Sequence, residues 1–467
     1  MSHAEAGLAP AVTPDPRAEP QSLGAQFAAW LAAFSPDGMS DTAALWARHC
    51  LLDWCAVTVA GSTEPLSLIL AGEFGRAEGA CTLPATGLRA APVDAALVNG
   101  AMSHALDFDD VNAHMHGHPS VAVIPAVLAA AEASGAPGPL VLAGIVAGHE
   151  IAGALGVMMG DEHYDHGFHA TATVGSVAAA AGAGVVLGLN ALQMEHALSL
   201  AGTQAAGLKS MFGTMAKPLH AGKAASNGLL AARLAKAGFE GRLGGLDCPQ
   251  GFGPTLSPAF RPTDFAPDPA HMEVQNNLFK YHAACYLTHS VIESTKALVA
   301  ENGLAPGDIA SLTIHIPAAS CKVCDIQSPE TGLDVKFSIR HLAAMAVLGR
   351  DTADLGTYTE ATAADREVWA FRDKVGLEGH PSVAGQRHAA SVEMTTVDGL
   401  ALRYATNVGI PLTDTALQER KLTAKARAIC TGVLGGEATE AMIDAALGLD
   451  GAADVSALMT SMAGRAR

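Results

Sequence analysis

Ala170-Thr-Ala-Thr-Val-Gly-Ser-Val-Ala-Ala-Ala-Ala-Gly-Ala-Gly-Val-Val-Leu-Gly-Leu189 is the stretch that decides the fold, because it contains no charged side chain. It is long enough to span a bilayer. Its residues are mostly Ala, Gly, Thr and Val, which are weakly hydrophobic, and no Lys or Arg cluster flanks it. Small side chains let helix backbones approach closely. We therefore predict a buried helix in a closely packed helical core, and no membrane association.

The composition of the whole chain favours the same kind of core. The chain has 467 residues, of which 49% are hydrophobic, 16% are charged and 5% are aromatic. This length allows more than one domain, and this balance favours a large buried core over disorder. A core poor in aromatic rings and rich in Ala and Gly indicates closely packed helices.

The net charge of −18 excludes one class of partner. A chain this acidic repels the phosphates of nucleic acids, and no basic run reverses that locally. An anionic small-molecule substrate is still compatible with it, because a few lysines and histidines converging in one pocket are enough to bind it.

The cysteines and the N-terminus indicate a cytoplasmic protein. Eight cysteines are scattered along the chain, and the N-terminus lacks the basic and apolar regions of a signal peptide. We expect eight reduced thiols. The single C-x-x-C pair, Cys321 and Cys324, has no second pair at zinc-finger spacing, so we do not assign it a zinc or redox role.

The pattern of periodicity divides the chain. Residues 1–20 contain four prolines and predict a mobile tail. Residues 21–270 are dominated by helical patterns, with Asp41 as an expected N-cap and Gly238 closing a helix over 221–237.

The middle of the chain combines strands and helices. Leu312, Ile314 and Ile316 alternate with polar residues, which is the period of a strand. Asp398-Gly399 joins two further strands and is a strong hairpin signal. Helical stretches separate them, and helix returns after Pro411. We predict a mainly α fold: a large all-helical domain from residues 21–270 and 411–467, with an inserted α+β lid domain at 271–410.

The densest group of ionisable side chains lies just ahead of an apolar helix, where three carboxylates and four histidines fall within fifteen residues. Its members are His104, Asp107, Asp109, Asp110, His114, His116 and His118. Charged groups are expensive to bury unless they are paired. An exposed polar loop is one interpretation and a functional site is the other, and the density favours the functional site.

A zinc site is the alternative for the three alternating histidines. On a strand, His114, His116 and His118 would share one face and could bind zinc. The sequence from Gly117 to Ser120 instead resembles an irregular lead into a helix, with Pro119 near its first turn. We therefore predict no metal.

Two further stretches lie next to helices. His169 precedes the small-residue helix, whose N-terminus favours anions and lowers the pKa of a histidine. Lys217 precedes Pro218, which predicts extended backbone, and a lysine held among apolar residues can bind a carboxylate or act as a base. His220 follows closely. Alone, each of these has an ordinary alternative, a structural histidine or a solvated lysine.

A fourth stretch opens the α+β region. Lys280 and His282 lie where the two predicted domains meet, and clefts between domains are common ligand sites. Lys336 is a further candidate cation. The chain contains no Walker loop, no dinucleotide fingerprint between a strand and a helix, and no Gly-x-Ser-x-Gly elbow, so nothing indicates a nucleotide, nicotinamide or serine-hydrolase function.

Taken together, these stretches resemble the MmgE/PrpD family from about residue 25 to about residue 430. Five motifs in the right order are more specific than any one of them. They are His104-Ala-Leu-Asp107-Phe-Asp109-Asp110, Gly117-His118-Pro119-Ser120, Gly167-Phe168-His169, Lys217-Pro218-Leu219-His220-Ala221-Gly222 and Phe279-Lys280.

The resemblance implies a function. The family includes 2-methylcitrate dehydratase, cis-aconitate decarboxylase and iminodisuccinate epimerase, and its members form homodimers and use no metal, iron–sulfur cluster or organic cofactor. It therefore implies a cofactor-free enzyme that abstracts a proton next to a carboxylate of a small polycarboxylate. We expect a 2-methylcitrate dehydratase-like hydro-lyase. The alternatives are an epimerase of an iminodisuccinate-like dicarboxylate, a decarboxylase, and a catalytically inactive dimeric binding protein.

The resemblance also implies site residues. The positions matching the family's active site are Asp107, His118, His169, Lys217 and Lys280, and we expect substrate contacts from His114, His116, His220, His282 and Lys336. One departure concerns the reaction. In the decarboxylase branch a threonine follows the Asp-Phe-Asp-Asp run, whereas this chain has Val111, which argues against decarboxylation of cis-aconitate.

Overall fold

The structure is a computed structural model that describes residues 21–464 except 382, 384 and 387. The predicted tail over residues 1–20 lies outside the described residues. The described part contains nineteen α-helices and eight β-strands, so the predicted mainly α class is confirmed.

The helices, numbered in chain order, precede, interrupt and follow a small sheet. Their bounds are α1 Leu23–Ala33, α2 Asp41–Gly61, α3 Pro65–Phe74, α4 Pro92–His104, α5 Ser120–Ser134, α6 Gly138–Asp165, α7 Ala170–Leu187, α8 Ala191–Gln204, α9 Ala216–Lys236, α10 Phe252–Leu256, α11 His289–Asn302, α12 Ala318–Cys324, α13 Gly332–Lys336, α14 Ile339–Val347, α15 Glu360–Ala363, α16 Arg366–Arg372, α17 Thr415–Leu434, α18 Gly436–Leu447 and α19 Ser456–Met462.

The small-residue helix α7 lies at the centre of the helical core, as its composition predicts. Residues 170–186 are all buried, and the helix packs against α5, α6, α8 and α9. Close approach needs glycine at the crossings. A Cβ added to Gly182 of α7 would lie 2.7 Å from the carbonyl oxygen of Gly144 in α6. The two backbones are therefore in near contact.

Several apolar helices satisfy the length and composition of a membrane span. They are α6 and α7, and α2 with α3 when that bent pair is taken as one span. Most of α6 and α7 is buried among other helices. Their apolar side chains therefore pack mainly against other helices of the same protein.

The eight strands form three small sheets. They are β1 Cys81–Leu83, β2 Leu88–Ala90, β3 Val111–Asn112, β4 Asn277–Leu278, β5 Ile309–Pro317, β6 Val375–His380, β7 Ala389–Thr396 and β8 Ala401–Asn407. The largest sheet has the order β6-β5-β7-β8, with β5 and β6 parallel and the other pairs antiparallel. β7 and β8 form the hairpin that Asp398-Gly399 predicts, and Gly399 supplies a φ of 89° in its turn.

The chain returns to the helical core after this sheet. α11 packs against β7, β8 and α14, whereas α17 packs against α2 from the start of the chain. The C-terminal helices are therefore part of the N-terminal core. The exact boundaries at 271 and 410 stay a prediction.

Two local expectations are wrong. Ser40, not Asp41, caps α2, because its hydroxyl accepts from the backbone N–H of Ala43 and Asp41 is the first helical residue. Lys217 is not extended, because α9 begins at Ala216. Pro218 falls in the first helical turn, where its missing N–H breaks no helical hydrogen bond.

Candidate active site

Four parts of the helical core meet at one cleft. α4 ends at His104, and the following turn carries Asp107, Asp109 and Asp110. α7 begins after His169, and α9 begins just before Lys217. Both helices direct the positive ends of their dipoles to this region, which favours anions.

The short pairing of β3 with β4 brings Lys280 to the same place. Val111 pairs with Leu278, and Asn112 pairs with Asn277. This antiparallel pair fixes the residues after the aspartate run beside those just before Lys280, although about 170 residues separate them in the sequence. Strands of only two residues are too short to show the alternation by which strands are predicted, so sequence analysis missed this pairing.

Asp107 lies between two lysine ammonium groups. Its Oδ2 is 2.9 Å from Lys217 Nζ, and its Oδ1 is 3.1 Å from Lys280 Nζ, which also donates to its backbone carbonyl at 2.6 Å. The Asp107 side chain is 54% exposed, whereas both lysine side chains are largely buried. Desolvation would raise the pKa of Asp107, but the two ammonium groups hold it well below its usual range. The carboxylate is therefore ionised and accessible.

Asp109 connects two histidines. Its Oδ1 is 2.9 Å from His104 Nδ1, and its Oδ2 is 2.8 Å from His118 Nδ1. Desolvation opposes ionisation of this buried carboxyl, but the two imidazoles hold its pKa well below the usual range. Burial lowers the pKa of His104 to about 4, against the opposing effect of Asp109. His104 is therefore neutral at neutral pH.

The tautomer of His118 follows from its partners. Its Nδ1 lies 2.9 Å from the backbone carbonyl oxygen of Asp110, and a carbonyl can only accept. Nδ1 therefore carries the proton, and in the neutral ring the lone pair is on Nε2. That atom lies 3.8 Å from Asp107 Oδ1, on the cleft side. The loop is fixed by Thr171 of α7, whose hydroxyl accepts from the His118 backbone N–H.

His169 and His220 form a pair beside the lysines. Their Nδ1 atoms are 3.2 Å apart, and the ring of Phe212 contacts His169 at a centroid distance of 5.0 Å. Burial is the largest cause that lowers the pKa of His169 well below its usual range, and the positive charge of Lys217 adds to it. His169 is therefore neutral at neutral pH.

The floor of the cleft contains a buried ion pair that sequence analysis missed. Lys425 of α17 donates to Asp53 Oδ1 of α2 at 2.6 Å and to the Phe108 carbonyl oxygen at 2.7 Å. Lys425 occupies the same helical stripe as the buried Leu422 and Ile429. A lysine on an apolar stripe was the available signal. His104 and Asp109 belong to the first motif, but the resemblance alone assigns them no role.

Four of the residues expected to contact substrate lie outside this cluster. His114 pairs with Glu273, and His116 pairs with Asp161. His282 is buried between Glu293 and Thr352, 3.1 Å and 2.8 Å away. Lys336 lies over the ring of Tyr358. Each already has a partner, which a substrate would have to displace.

The geometry does not form the alternative zinc site. His114, His116 and His118 direct their rings to three different carboxylates, because only Val111 and Asn112 are extended as a strand and a turn follows. A second set, His104, Asp107, Asp109 and His118, brings ligand atoms within 4.8 Å of one another. Two ammonium groups beside Asp107 repel a cation there. This donor set fits an anion better than a metal ion.

The chain is similar to known proteins over most of its length. Models of the MmgE/PrpD N-terminal and C-terminal domains match residues 25–264 and 282–450. A cis-aconitate decarboxylase of Homo sapiens is 30% identical over 394 residues, which is 81% of this chain and 80% of that protein. One of Aspergillus terreus is 27% identical over 463 residues, 92% and 94% respectively. Lys280 lies between the two matched ranges.

Proposed function

The chain belongs to the MmgE/PrpD family, and we propose that it is a lyase that moves a proton next to a carboxylate of a small polycarboxylate. The observation that carries this proposal is the convergence of two largely buried ammonium groups and the Nε2 lone pair of His118 on Asp107, the accessible carboxylate of the cleft. The names of the relatives, which are lyases on a small polycarboxylate, support the same class.

The lysines retain hydrogen-bond donors for a substrate. An ammonium group has three N–H donors. Lys280 uses two on Asp107, and Lys217 uses one. The remaining N–H groups can bind a substrate carboxylate and stabilise the negative charge that develops on it when the neighbouring carbon loses its proton.

His118 is the proposed base. The Asp110 backbone carbonyl accepts the Nδ1 proton, and the Asp109 carboxylate lies 2.8 Å from the same nitrogen, so Nε2 is oriented to accept a proton from a bound substrate. His169 is neutral and can donate a hydrogen bond to a departing hydroxyl, and the proton that His118 has taken from carbon completes the water that leaves. Each such proton-transfer group contributes about a hundredfold to ten-thousandfold.

The outcome of proton removal defines the reaction. We propose loss of water from a 2-methylcitrate-like hydroxy acid. Val111 supports this over decarboxylation, because it offers no hydroxyl directly after the aspartate run, where it pairs with Leu278. Decarboxylation of cis-aconitate is the second candidate, and it is favoured by the names of the relatives. Epimerisation uses the same first step.

Proton NMR in deuterated water tests these reactions together. The substrates are 2-methylcitrate, citrate, cis-aconitate and iminodisuccinate. An alkene signal with loss of the hydroxy acid means a hydro-lyase. Loss of CO2 from cis-aconitate, with deuterium in the product, means a decarboxylase. Deuterium exchange without an alkene means an epimerase.

The His118→Asn variant is the matched control for the NMR assay. We expect it to bind substrate but to give neither the alkene signal nor deuterium incorporation. If the unmodified protein binds a panel member without exchange or turnover, it is a binding protein and the proposal is wrong.

A further inference from the structure

Three buried side chains behind His118 have no part in the mechanism above. Asp110 Oδ2 lies 2.6 Å from Ser120 Oγ, and the same hydroxyl oxygen lies 3.1 Å from His149 Nε2. All three side chains are almost completely buried. They connect α5 and α6 to the segment whose backbone carbonyl binds His118.

The number of protons shared by Asp110, Ser120 and His149 follows from their hydrogen-bond partners. His149 Nδ1 lies 2.8 Å from the Ile145 carbonyl oxygen and must donate to it, so Nε2 is the ring atom that faces Ser120. The two contacts, Asp110 to Ser120 and Ser120 to His149, each need one proton. The hydroxyl supplies one of them. The second proton must be on Asp110 or on His149 Nε2.

We propose that Asp110, Ser120 and His149 hold this second proton as a relay, and that it is on Asp110, which makes Asp110 an uncharged positioning residue behind His118. The Ser120 hydroxyl then donates to His149 Nε2 and accepts from the Asp110 acid. Asn277 is oriented by Asn112 and donates its side-chain N–H to Asp110 Oδ2 at 2.7 Å. Asp110 Oδ1 has no hydrogen-bond partner, which is much less unfavourable for an acid than for a carboxylate.

The groups around Asp110 favour the same protonation state. Cys50 and Asp53 face Asp110 from α2, and His149 faces it from α6. Asp109 precedes it in the sequence, and His118 contacts its backbone carbonyl. Burial, followed by the negative charge of Asp53, raises the pKa of Asp110 to about 8. Burial lowers the pKa of His149 to about 4. The carboxyl is therefore protonated below about pH 8, and the imidazole is neutral.

An uncharged Asp110 should favour the binding of an anionic substrate. This consequence rests on the proposed function. Asp53 is paired with Lys425, and Asp109 with two histidines. A charge on Asp110 would be an unpaired anion under a site that must bind a polyanion. Ionisation above about pH 8 should weaken substrate binding, because it adds a negative charge beneath the site.

Infrared spectroscopy tests the protonation state without reference to activity. The protein is labelled with [13C]carboxyl aspartate and titrated with base. We expect a band of un-ionised carboxyl that disappears near pH 8 and that is absent in Asp110→Asn. The exposed Asp444→Asn is the matched control and should retain the band. A carboxylate at Asp110 at neutral pH would overturn the proposal.

The His149→Leu variant tests the coupling and also provides a reading if Asp110→Asn does not fold. Without Nε2, Ser120 is free to donate to Asp110 and stabilise the carboxylate, so the band should disappear at lower pH. An unchanged titration would mean that the two groups are independent, and the relay would be rejected.

The pH dependence of KM tests whether ionisation of Asp110 weakens substrate binding. We expect KM for the active polycarboxylate to rise at least about threefold between about pH 7 and about pH 9 in the unmodified protein, and to rise less in Asp110→Asn. If the band is present but no panel member is turned over, the proposed function fails and the relay stands. An equal rise of KM in both proteins would reject the role in binding.

Discussion

Asp107 combines an unusual backbone with an unusual charge environment. Its φ of 49° lies in the left-handed region, which aspartate tolerates better than most residues. The conformation turns its carbonyl and its carboxylate toward Lys280 together. Non-glycine residues keep such a conformation only where their surroundings fix it, and they concentrate at functional sites. Here the two lysines fix it, so their removal should affect both charge and geometry.

Substitution of Lys217 tests this at a single residue. We expect Lys217→Met to lower kcat/KM by about a hundredfold to a thousandfold, the usual effect of losing one group that stabilises developing negative charge. Lys223→Met is the matched control, because Lys223 lies on the same helix, is exposed and is not a member of the cluster. Steady-state kinetics on the substrate that turns over in the NMR panel provides the measurement. Equal activities of the two variants would remove Lys217 from the site.

At the scale of elements, the crossing of α4 and α9 determines where Lys217 lies. A Cβ on Gly222 would be 2.1 Å from the Leu97 carbonyl oxygen, and one on Gly100 would be 2.9 Å from the Gly222 Cα. Because backbone atoms cannot move aside as a side chain can, only glycine fits at this crossing. The second turn of α9 is therefore held against the middle of α4, one helical turn before His104.

Alanine substitution measures that crossing. We expect Gly222→Ala to lower the free energy of unfolding by at least about 1–3 kcal/mol, because the added methyl group overpacks the interface. Gly72→Ala is the matched control: Gly72 is also in a helix, but a Cβ there meets nothing within 4 Å. It should raise stability by about 0.5–1 kcal/mol. Urea denaturation compares them, and a similar change in both would mean that α4 and α9 are not in near contact.

Elements with a strong period or a turn signal could be predicted from the sequence, and those defined by distant partners could not. The hairpin at Asp398-Gly399 and the helix from Thr415 to Leu434 match the expectation because their patterns are local. The pairing of β3 with β4 and the helical state of Lys217 depend on tertiary contacts. The same distinction applies to the site: motifs identified Asp107 and Lys280, but only the fold shows that they touch.

At the scale of the whole molecule, both ends of the described chain contribute to the floor of the cleft. Asp53 belongs to α2, and Lys425 belongs to α17, which follows the sheet. Lys425 donates to Asp53 and to the backbone carbonyl of Phe108, the residue between Asp107 and Asp109 in the sequence. The ring of Phe108 also covers the Lys425 ammonium group at 3.9 Å. The C-terminal helices therefore contact the aspartate turn directly. One helical core contains residues from before and from after the α+β segment.

The Asp53–Lys425 pair shows how the removal of one charge should affect fold and site together. We expect Lys425→Met to lower the free energy of unfolding by about 3–5 kcal/mol, because Asp53 would stay buried without its partner. Asp53→Asn combined with Lys425→Met should lower it by less than the sum of the single changes, since no charge is then stranded. Arg427→Met, on the solvent face of the same helix, removes only an exposed pair with Glu440 and should change little.

The same variants separate support of the site from global stability. Lys425→Met also removes the donor to the Phe108 carbonyl oxygen, and the double variant does not restore it. We therefore expect the double variant to regain stability but not kcat, measured well below its unfolding transition. If kcat returned together with stability, Lys425 would contribute only to the fold, and the aspartate turn would be held by the histidines and lysines of the cleft alone.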